Sequence, residues 1–392
     1  MSLLPVAEAQ ARLFALAQSL AEEGVPVAQA VGRWLARDVR ALRDQPWAAL
    51  SAMDGYAVRA SEHPGRWRVA QESAAGGPLP LPLAPGEACR IFTGAPLPDG
   101  ADAILIQENA RRDGDHIAAS PDPLAKGQHV RKAASDFATG DILLKSGAAI
   151  GAAQIAVAVL AGHDRLPVRR RLTVAILSTG NELVPPGAPV PPGSLPSSNA
   201  PMLAAMLAGP PCDIVDIGIV ADDLPALATA FERAKDADII VSTGGASVGD
   251  HDLVRPAFDK AGGALDFWKI RMRPGKPLMA GRMGNALFLG LPGNPVSAFV
   301  TATLFLLPLV RHMSGAADPL PRTAQARLAS ALPQVGERDD YLRAYRGAGG
   351  VVSVTSQDSA ATAALSLADC LIVRAAGSPP AAPGDIVSIL PL

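Results

Sequence analysis

The chain has 392 residues, 49% of them hydrophobic and 18% charged, with a formal net charge of −2. That is apolar material for about two to four packed domains, at roughly 100–200 residues each. The near-neutral balance argues against a basic groove for nucleic acid and a basic membrane face, so any bound anion must be held by local groups.

The first segment has no cationic region followed by an apolar core, and no run of about 18 uninterrupted apolar residues occurs, so neither a signal peptide nor a membrane span is expected. Residues 5–23 place Val6, Leu13, Leu16, Ala17 and Leu20 on one helical stripe, with Gly24 as its stop. A second helix is expected over 27–38. From 45 to about 140 short apolar runs alternate with turn clusters such as AAGGPLPLPLAPGE, the texture of a compact β-rich module. Within 142–168 an alanine-rich helix leads back out. The module at 46–140 is thus expected as an insertion in a helical linker domain made of 1–45 plus 141–168.

Residues 169–315 change character. Buried-type runs (LTVAIL, DIVDIGIV, ADIIVS, NALFLGL) alternate with helical stretches (NAPMLAAMLAG, DLPALATAFERAKD, LVRPAFDKAGG), the pattern of a mainly parallel sheet covered on both faces. Residues 318–392 return to short strands, as expected of a C-terminal β-barrel. The fold class is therefore α/β multidomain, centred on a three-layer αβα domain. Cys89, Cys212 and Cys370 form no CxxC pair, which argues against a zinc knuckle or disulfide framework and points to a reducing, cytoplasmic compartment. The histidines are scattered, and only His251 lies inside a suggestive segment.

Three glycine-bearing loops follow buried strands: LSTGNEL at 177–183, STGGASVGDHD at 242–252 and LPGNP at 291–295. In a parallel α/β sheet such loops share the rim at the carboxyl ends, where ligands bind. Glycine lets the backbone approach a ligand, and amides entering a helix favour phosphate. Neither G-x-x-x-x-G-K-[ST] nor G-x-G-x-x-G is present, which counts against ordinary nucleotide triphosphatases and dinucleotide enzymes. The same rim gathers Glu182, Asp222, Asp223, Asp250 and Asp252, acids of the kind that share magnesium beside a phosphate. WKIRMRPGKP supplies Lys269, Arg271, Arg273 and Lys276 for oxyanions. Each acid taken alone reads more readily as a solvated loop end or helix cap; the combination favours a site. In the inserted module, Asp54 in SAMDGYAV and Thr93 in FTGAPLPDGADAIL read as an unpaired acid and a hydroxyl in tight turns, and spacing alone gives them no role.

SAMDGYAV, FTGAPLPDGADAIL, LSTGNEL, STGGASVGDHD, RPGKP and GLPGNPVSA are similar, in this order, to the signature segments of the molybdopterin molybdenumtransferases (the MoeA family), to which the C-terminal catalytic domain of gephyrin belongs. The resemblance covers essentially the whole chain. It implies a molybdopterin-binding α/β domain and a homodimer whose site is shared between the α/β domain of one subunit and the β insertion of the other. It further implies insertion of molybdenum from molybdate into adenylylated molybdopterin, with release of AMP and formation of molybdenum cofactor. Carried over residue by residue, Asp54, Thr93, Glu182, Asp222 and Asp252 are catalytic, and Glu182, Asp222 and Asp252 hold Mg2+ or another divalent metal. Gly244, Gly245 and Ser247 would cradle phosphate. Lys269, Arg273 and Lys276 would hold molybdate or the pyrophosphate, with Pro292 and Pro295 lining the substrate site and Arg343 and Ser359 as weaker contacts. Molybdopterin adenylyltransferase and acceptor molybdoenzymes are the implied protein partners. Asn181 and Arg273 depart from relatives that carry Asp and Lys there. The competing readings are an adenylyltransferase or a nicotinamide-nucleotide deamidase on the same α/β domain, which the β insertion and SAMDGYAV count against, and a non-catalytic scaffold.

Overall fold

The computed structural model describes residues 3–245 and 253–392. A six-stranded sheet forms the centre, from β1 (Leu172–Thr179), β2 (Cys212–Val220), β3 (Ile239–Thr243), β4 (Gly263–Trp268), β5 (Met279–Met283) and β6 (Ala286–Leu291). Its order is β2-β1-β3-β6-β5-β4; the first four run parallel, and β5 is antiparallel to both its neighbours. Both faces are covered, which is why these strands read as continuous apolar runs. Val174, Ile176, Val241 and Leu289 pack with Leu203 and Val300 on one face, while Ala175, Leu177, Ile240 and Phe288 pack with Phe231 and Phe258 on the other.

One register row crosses the whole sheet: Gly218, Leu177, Ser242, Gly290, Met279 and Trp268. Everything immediately beyond that row belongs to one rim. The three glycine loops leave β1, β3 and β6 there, and the basic segment between β4 and β5 joins them from the other end of the sheet.

The N-terminal helix is shorter than its apolar stripe predicts, Val6–Leu16, and it docks on the α/β core through Val6, Ala9 and Leu13. Gly24 is no helix stop: it lies in the strand Glu22–Pro26, which pairs antiparallel with Arg165–Arg169. The helix expected over 27–38 is a single 3-10 turn, Val27–Gln29, after which Trp34 and Leu35 bridge to Ala149 and Val168. Pro26 and left-handed Gly32, with φ of 79°, confine helix to that one turn. Beyond the N-terminal helix the linker is therefore mostly β ribbon, with the helix Ala152–Leu160. The inserted module has its own six-stranded sheet and its own cores, around Trp67 and around Ile104.

The stretch Pro295–Met313 is 19 residues of apolar helix, 78% buried inside the protein, so it is a core helix. Its middle, Ala302–Leu306, widens to π geometry just before Pro308. Proline has no N–H to give the carbonyl four residues back. That carbonyl, of Leu304, accepts instead from Gln10 Nε2 at 2.8 Å, which fastens the N-terminal helix to the core. The C-terminal strands form a third six-stranded sheet that a bridge between Leu328 and Val351 closes into a small barrel around Leu342, Ile372 and Ile389.

Candidate functional site

The three glycine loops converge because each glycine admits its neighbour. Gly244 has φ of 93°, and a Cβ there would lie 2.4 Å from the Thr179 carbonyl oxygen. A Cβ on Gly293 would stand 3.5 Å from Gly244 Cα, so the LPGNP turn rests on the STGG turn. Gly244 N–H donates to the Leu291 carbonyl at 3.2 Å. Pro292 is buried directly after β6, and Pro295 opens the following helix, where a missing N–H costs nothing. Gly245 closes the described part of the second loop. Ser247, Asp250, His251 and Asp252 lie outside the described residues.

Beside these turns stand two acids. Asn181 N–H donates to Asp222 Oδ2 at 3.3 Å and Asn181 Oδ1 accepts from Asp222 N–H at 3.1 Å, which locks the first loop to the end of β2. Asn181, the departure from the family pattern, thus becomes a brace between loops. Glu182 folds back over Gly180, where a Cβ would lie 2.6 Å from its Oε2. Burial raises the Asp222 carboxyl above its ordinary value; the Asn181 amide opposes the rise and the charge of Glu182 adds to it. Neither acid has a basic partner among the described residues. Two adjacent oxygen donors held without a counter-charge fit a hard cation completed by phosphate and water. Among the described residues no group of three potential ligands converges. Asp223, adjacent in sequence, is a helix cap: its Oδ1 accepts from Ala226 N–H at 2.9 Å.

The basic segment occupies the far end of the same rim. From β1 to β4 there are four strand spacings, about 19 Å at 4.7–4.9 Å each. Acid and base therefore share a rim without touching. Nor are the four cations equivalent. Arg273 donates from Nε and Nη2 to the two oxygens of Asp340, at 2.9 and 2.8 Å, and Arg271 lies 3.8 Å from Asp339. Both pairs tie the α/β domain to the C-terminal barrel, where Met272 and Arg273 pair with Asp339 and Asp340 in parallel register. Arg273, expected to hold the oxyanion, has its Nε and Nη2 engaged by a buried carboxylate. Lys276 makes no ion pair with a described residue, and Lys269 lies over the Trp268 ring at 4.7 Å.

Arg343 is likewise a strut. It is buried, and its guanidinium donates to the carbonyls of Ser356, Asp358 and Ala361 at 2.8–2.9 Å. The loop so held presents Ser359, whose Oγ accepts from Asn294 Nδ2 at 2.9 Å. Ser359 thus reaches the rim through the LPGNP turn.

In the inserted module Asp54 is not an unpaired acid. Its Oδ1 accepts from the Thr93 amide at 2.7 Å and from the Thr93 hydroxyl at 2.8 Å. These bonds, the amide first, hold its carboxyl below the usual range. Among the described residues, no hydrophobic core cluster joins this module to the α/β domain.

Sequence reasoning missed a row of buried polar side chains beneath the rim. Ser178 Oγ lies 3.3 Å from Ser197 Oγ and 3.4 Å from Thr243 Oγ1. Asn199 donates to the Gly293 carbonyl at 2.8 Å, while its buried Oδ1 finds no partner among the described residues. The available signal was SSN ahead of a helix, which looks like ordinary capping.

Three family models match the chain: the MoeA N-terminal region (domain I and II) over 4–162, a probable molybdopterin binding domain over 175–312 and the MoeA C-terminal region (domain IV) over 325–392. Over 344 residues it is 37% identical to molybdopterin molybdenumtransferase 2 of Mycobacterium tuberculosis, a match covering 84% of this chain and 85% of that one. It is 32% identical over 372 residues to the molybdopterin molybdenumtransferase of Haemophilus influenzae, covering 93% and 92%. The fold matches a crystal structure of the molybdopterin biosynthesis MoeA protein from Pyrococcus horikoshii with a TM-score of 0.87 at 26% identity, over 100% of both chains. The chain belongs to the molybdopterin molybdenumtransferase family, enzymes of molybdenum insertion in cofactor biosynthesis acting on a molybdopterin-type substrate.

Proposed function

We propose that the substrate is adenylylated molybdopterin, that molybdate supplies the metal, and that the phosphoanhydride is cleaved with release of AMP as molybdenum enters the dithiolene. The observation that carries this reading is the acid pair Glu182 and Asp222, held without a basic partner among the described residues beside the Gly244 turn. Glu182 and Asp222, with Asp252, would hold Mg2+. That ion would lower the charge on the phosphoanhydride oxygens. The Gly244–Gly245 turn offers close backbone approach to phosphate, and Lys276 and Lys269, with no ion pair to a described residue, supply cationic charge for the leaving phosphate or for molybdate. Asn181 fixes the spacing of the two acid-bearing loops.

No side-chain nucleophile is needed, because molybdate oxygen or water attacks while the site positions and neutralises. Asp54 and Thr93 complete the pocket of a second subunit in a homodimer; their separation from the α/β core within one chain supports that placement. A cytoplasmic location, contact with the adenylyltransferase and delivery to acceptor molybdoenzymes belong to the same reading.

The test is an assay of purified protein with adenylylated molybdopterin and Mg2+. AMP should appear only when molybdate is added. Accumulation of the adenylate from molybdopterin and MgATP, without molybdate, would instead identify an adenylyltransferase.

A further inference from the structure

At the amino end of the central sheet, away from the rim, the linker and the α/β domain leave between them a cavity of about 300 Å3. Roughly that volume is the lower end of the range for small-ligand clefts. Arg171 lines it just before β1, and Gly180 follows β1 at the rim, so the two lie about 30 Å apart along extended chain. Val31, Pro210 and Pro211 give the cavity apolar walls, while Gln29, Arg33 and Arg171 supply polar groups. No acid among the described residues lines it.

The backbone fixes Arg33 in place. Left-handed Gly32 gives its N–H to the Ile150 carbonyl at 2.9 Å, and the Arg33 carbonyl accepts from Ile150 N–H at 2.9 Å. Arg33 is only 7% exposed. Its Nη2 donates to Glu23 Oε1 at 2.5 Å and to the Arg169 carbonyl. Its Nε is shut off from solvent and has no acceptor among the described residues. A buried N–H in that condition is costly, and an incoming oxygen removes the cost. Arg171 is half committed in the same way. Its Nε donates to Asp213 Oδ1 at 2.9 Å and its Nη2 to the Cys212 carbonyl at 2.5 Å, which leaves Nη1 without an acceptor among the described residues.

We infer that this cavity binds a small organic monocarboxylate, held by Arg33 and Arg171 and independent of the substrate rim. Guanidinium N–H groups match carboxylate oxygens in geometry and in strength. Glu23 and Asp213 already offset much of the two positive charges, so a single further negative charge fits better than the two of a phosphate ester. The cavity is roomier than a bare oxyanion requires, and Val31 with the two prolines offers contact for a carbon body. Arg33 belongs to the linker and Arg171 to the α/β domain, so the ligand bridges the two.

The test is NMR titration of the full-length protein carrying 15N at arginine Nε, with benzoate and hexanoate as probes. Benzamide, a neutral isostere, and phenyl phosphate, a dianion, are the controls. At least one monocarboxylate should bind with Kd of about 1 mM or tighter and shift the Arg33 Nε signal, which Arg33→Lys assigns by its loss. Each control should bind at least about fivefold more weakly than that monocarboxylate. Arg33→Lys keeps the charge facing Glu23 but removes the Nε donor, and should weaken binding about tenfold or more. A Cβ on Gly209, which also lines the cavity, would meet nothing within 4 Å, so Gly209→Leu should fill the space without strain and abolish binding. Lys276→Ala, at the rim, should leave binding unchanged. Thermal midpoints establish that each variant is folded. The assignment is overturned if neither monocarboxylate saturates wild type, if Gly209→Leu or a folded Arg33→Lys binds as wild type does, or if phenyl phosphate binds more tightly than both acids. Loss of binding in Lys276→Ala alone would place the carboxylate at the rim and equally overturn it.

Discussion

The two ends of the rim carry similar numbers of charges and treat them in opposite ways. At the acidic end, Glu182 and Asp222 stand together, Asp222 half-buried and Glu182 exposed, with no basic partner among the described residues. At the basic end, Arg271 and Arg273 are matched by Asp339 and Asp340, while Lys269 and Lys276 make no ion pair with a described residue. The difference separates two uses of charge. A matched pair fixes a domain boundary, whereas an unmatched group is a standing energetic cost that a ligand of opposite sign can remove. Four cations that look alike in WKIRMRPGKP therefore divide into two struts and two candidate ligand contacts.

The largest effect expected from this division is on turnover. Glu182→Ala should lower AMP release by about 100- to 1,000-fold, the range for removal of one preorganised electrostatic group, with little change in the unfolding midpoint. Steady-state kinetics beside calorimetry check both halves. Lys276→Ala should lower kcat/KM by about 10- to 100-fold, as for loss of a charged contact; an effect no larger than that of an exposed lysine elsewhere would remove it from the site.

Arg273→Ala should act on stability instead. Asp340 is buried, and losing its partner should cost about 1–3 kcal/mol, held to that range because Arg273 itself is largely exposed. Denaturant titration should show the C-terminal barrel loosening first. Asp222→Asn sharpens the comparison with a smaller shift. The folded-state pKa of Asp222 lies above its 3.8 reference, so the stability associated with its neutral form is complete below that value and is lost as pH rises through the folded pKa. The amide variant should therefore melt about 1–3 °C higher than wild type at neutral pH, with the gap closing below pH 4. A variant that melts lower at pH 7 contradicts the account.

Much of the architecture was legible because the parallel strands are buried on both faces, and that burial writes uninterrupted runs such as LTVAIL into the sequence. The rim followed from topology, since loops after parallel strands share one edge. The linker was not legible: its alanine-rich segments carry helical periodicity, but Pro26 and Gly32 turn the chain into ribbons whose partners lie more than a hundred residues away. Charge pairing was hidden for the same reason, as nothing near Arg273 announces Asp340.

Asp54 marks the limit on the other side. Asp44 holds Thr139 with the same two bonds, amide and hydroxyl both at 2.7 Å, so the clamp itself is structural and only its place can make it catalytic. Both carboxyls are held low, so their contribution to stability is present above the unfolded pKa and is lost as pH falls. Thr93→Ala and Thr139→Ala should each raise the pKa of the partnered aspartate; only Thr93→Ala should also slow AMP release. Equal slowing by both would make the Asp54 clamp a scaffold feature.

The most direct test of an unmatched acid pair awaiting a cation is the titration of Asp222 itself. With 13C-labelled aspartate and Asp222→Asn for assignment, NMR should show its carboxyl titrating above the ordinary aspartate range in the free protein. Addition of Mg2+ with AMP should move that midpoint sharply downward. A carboxyl that titrates normally, or one that ignores Mg2+ and AMP, would contradict the account.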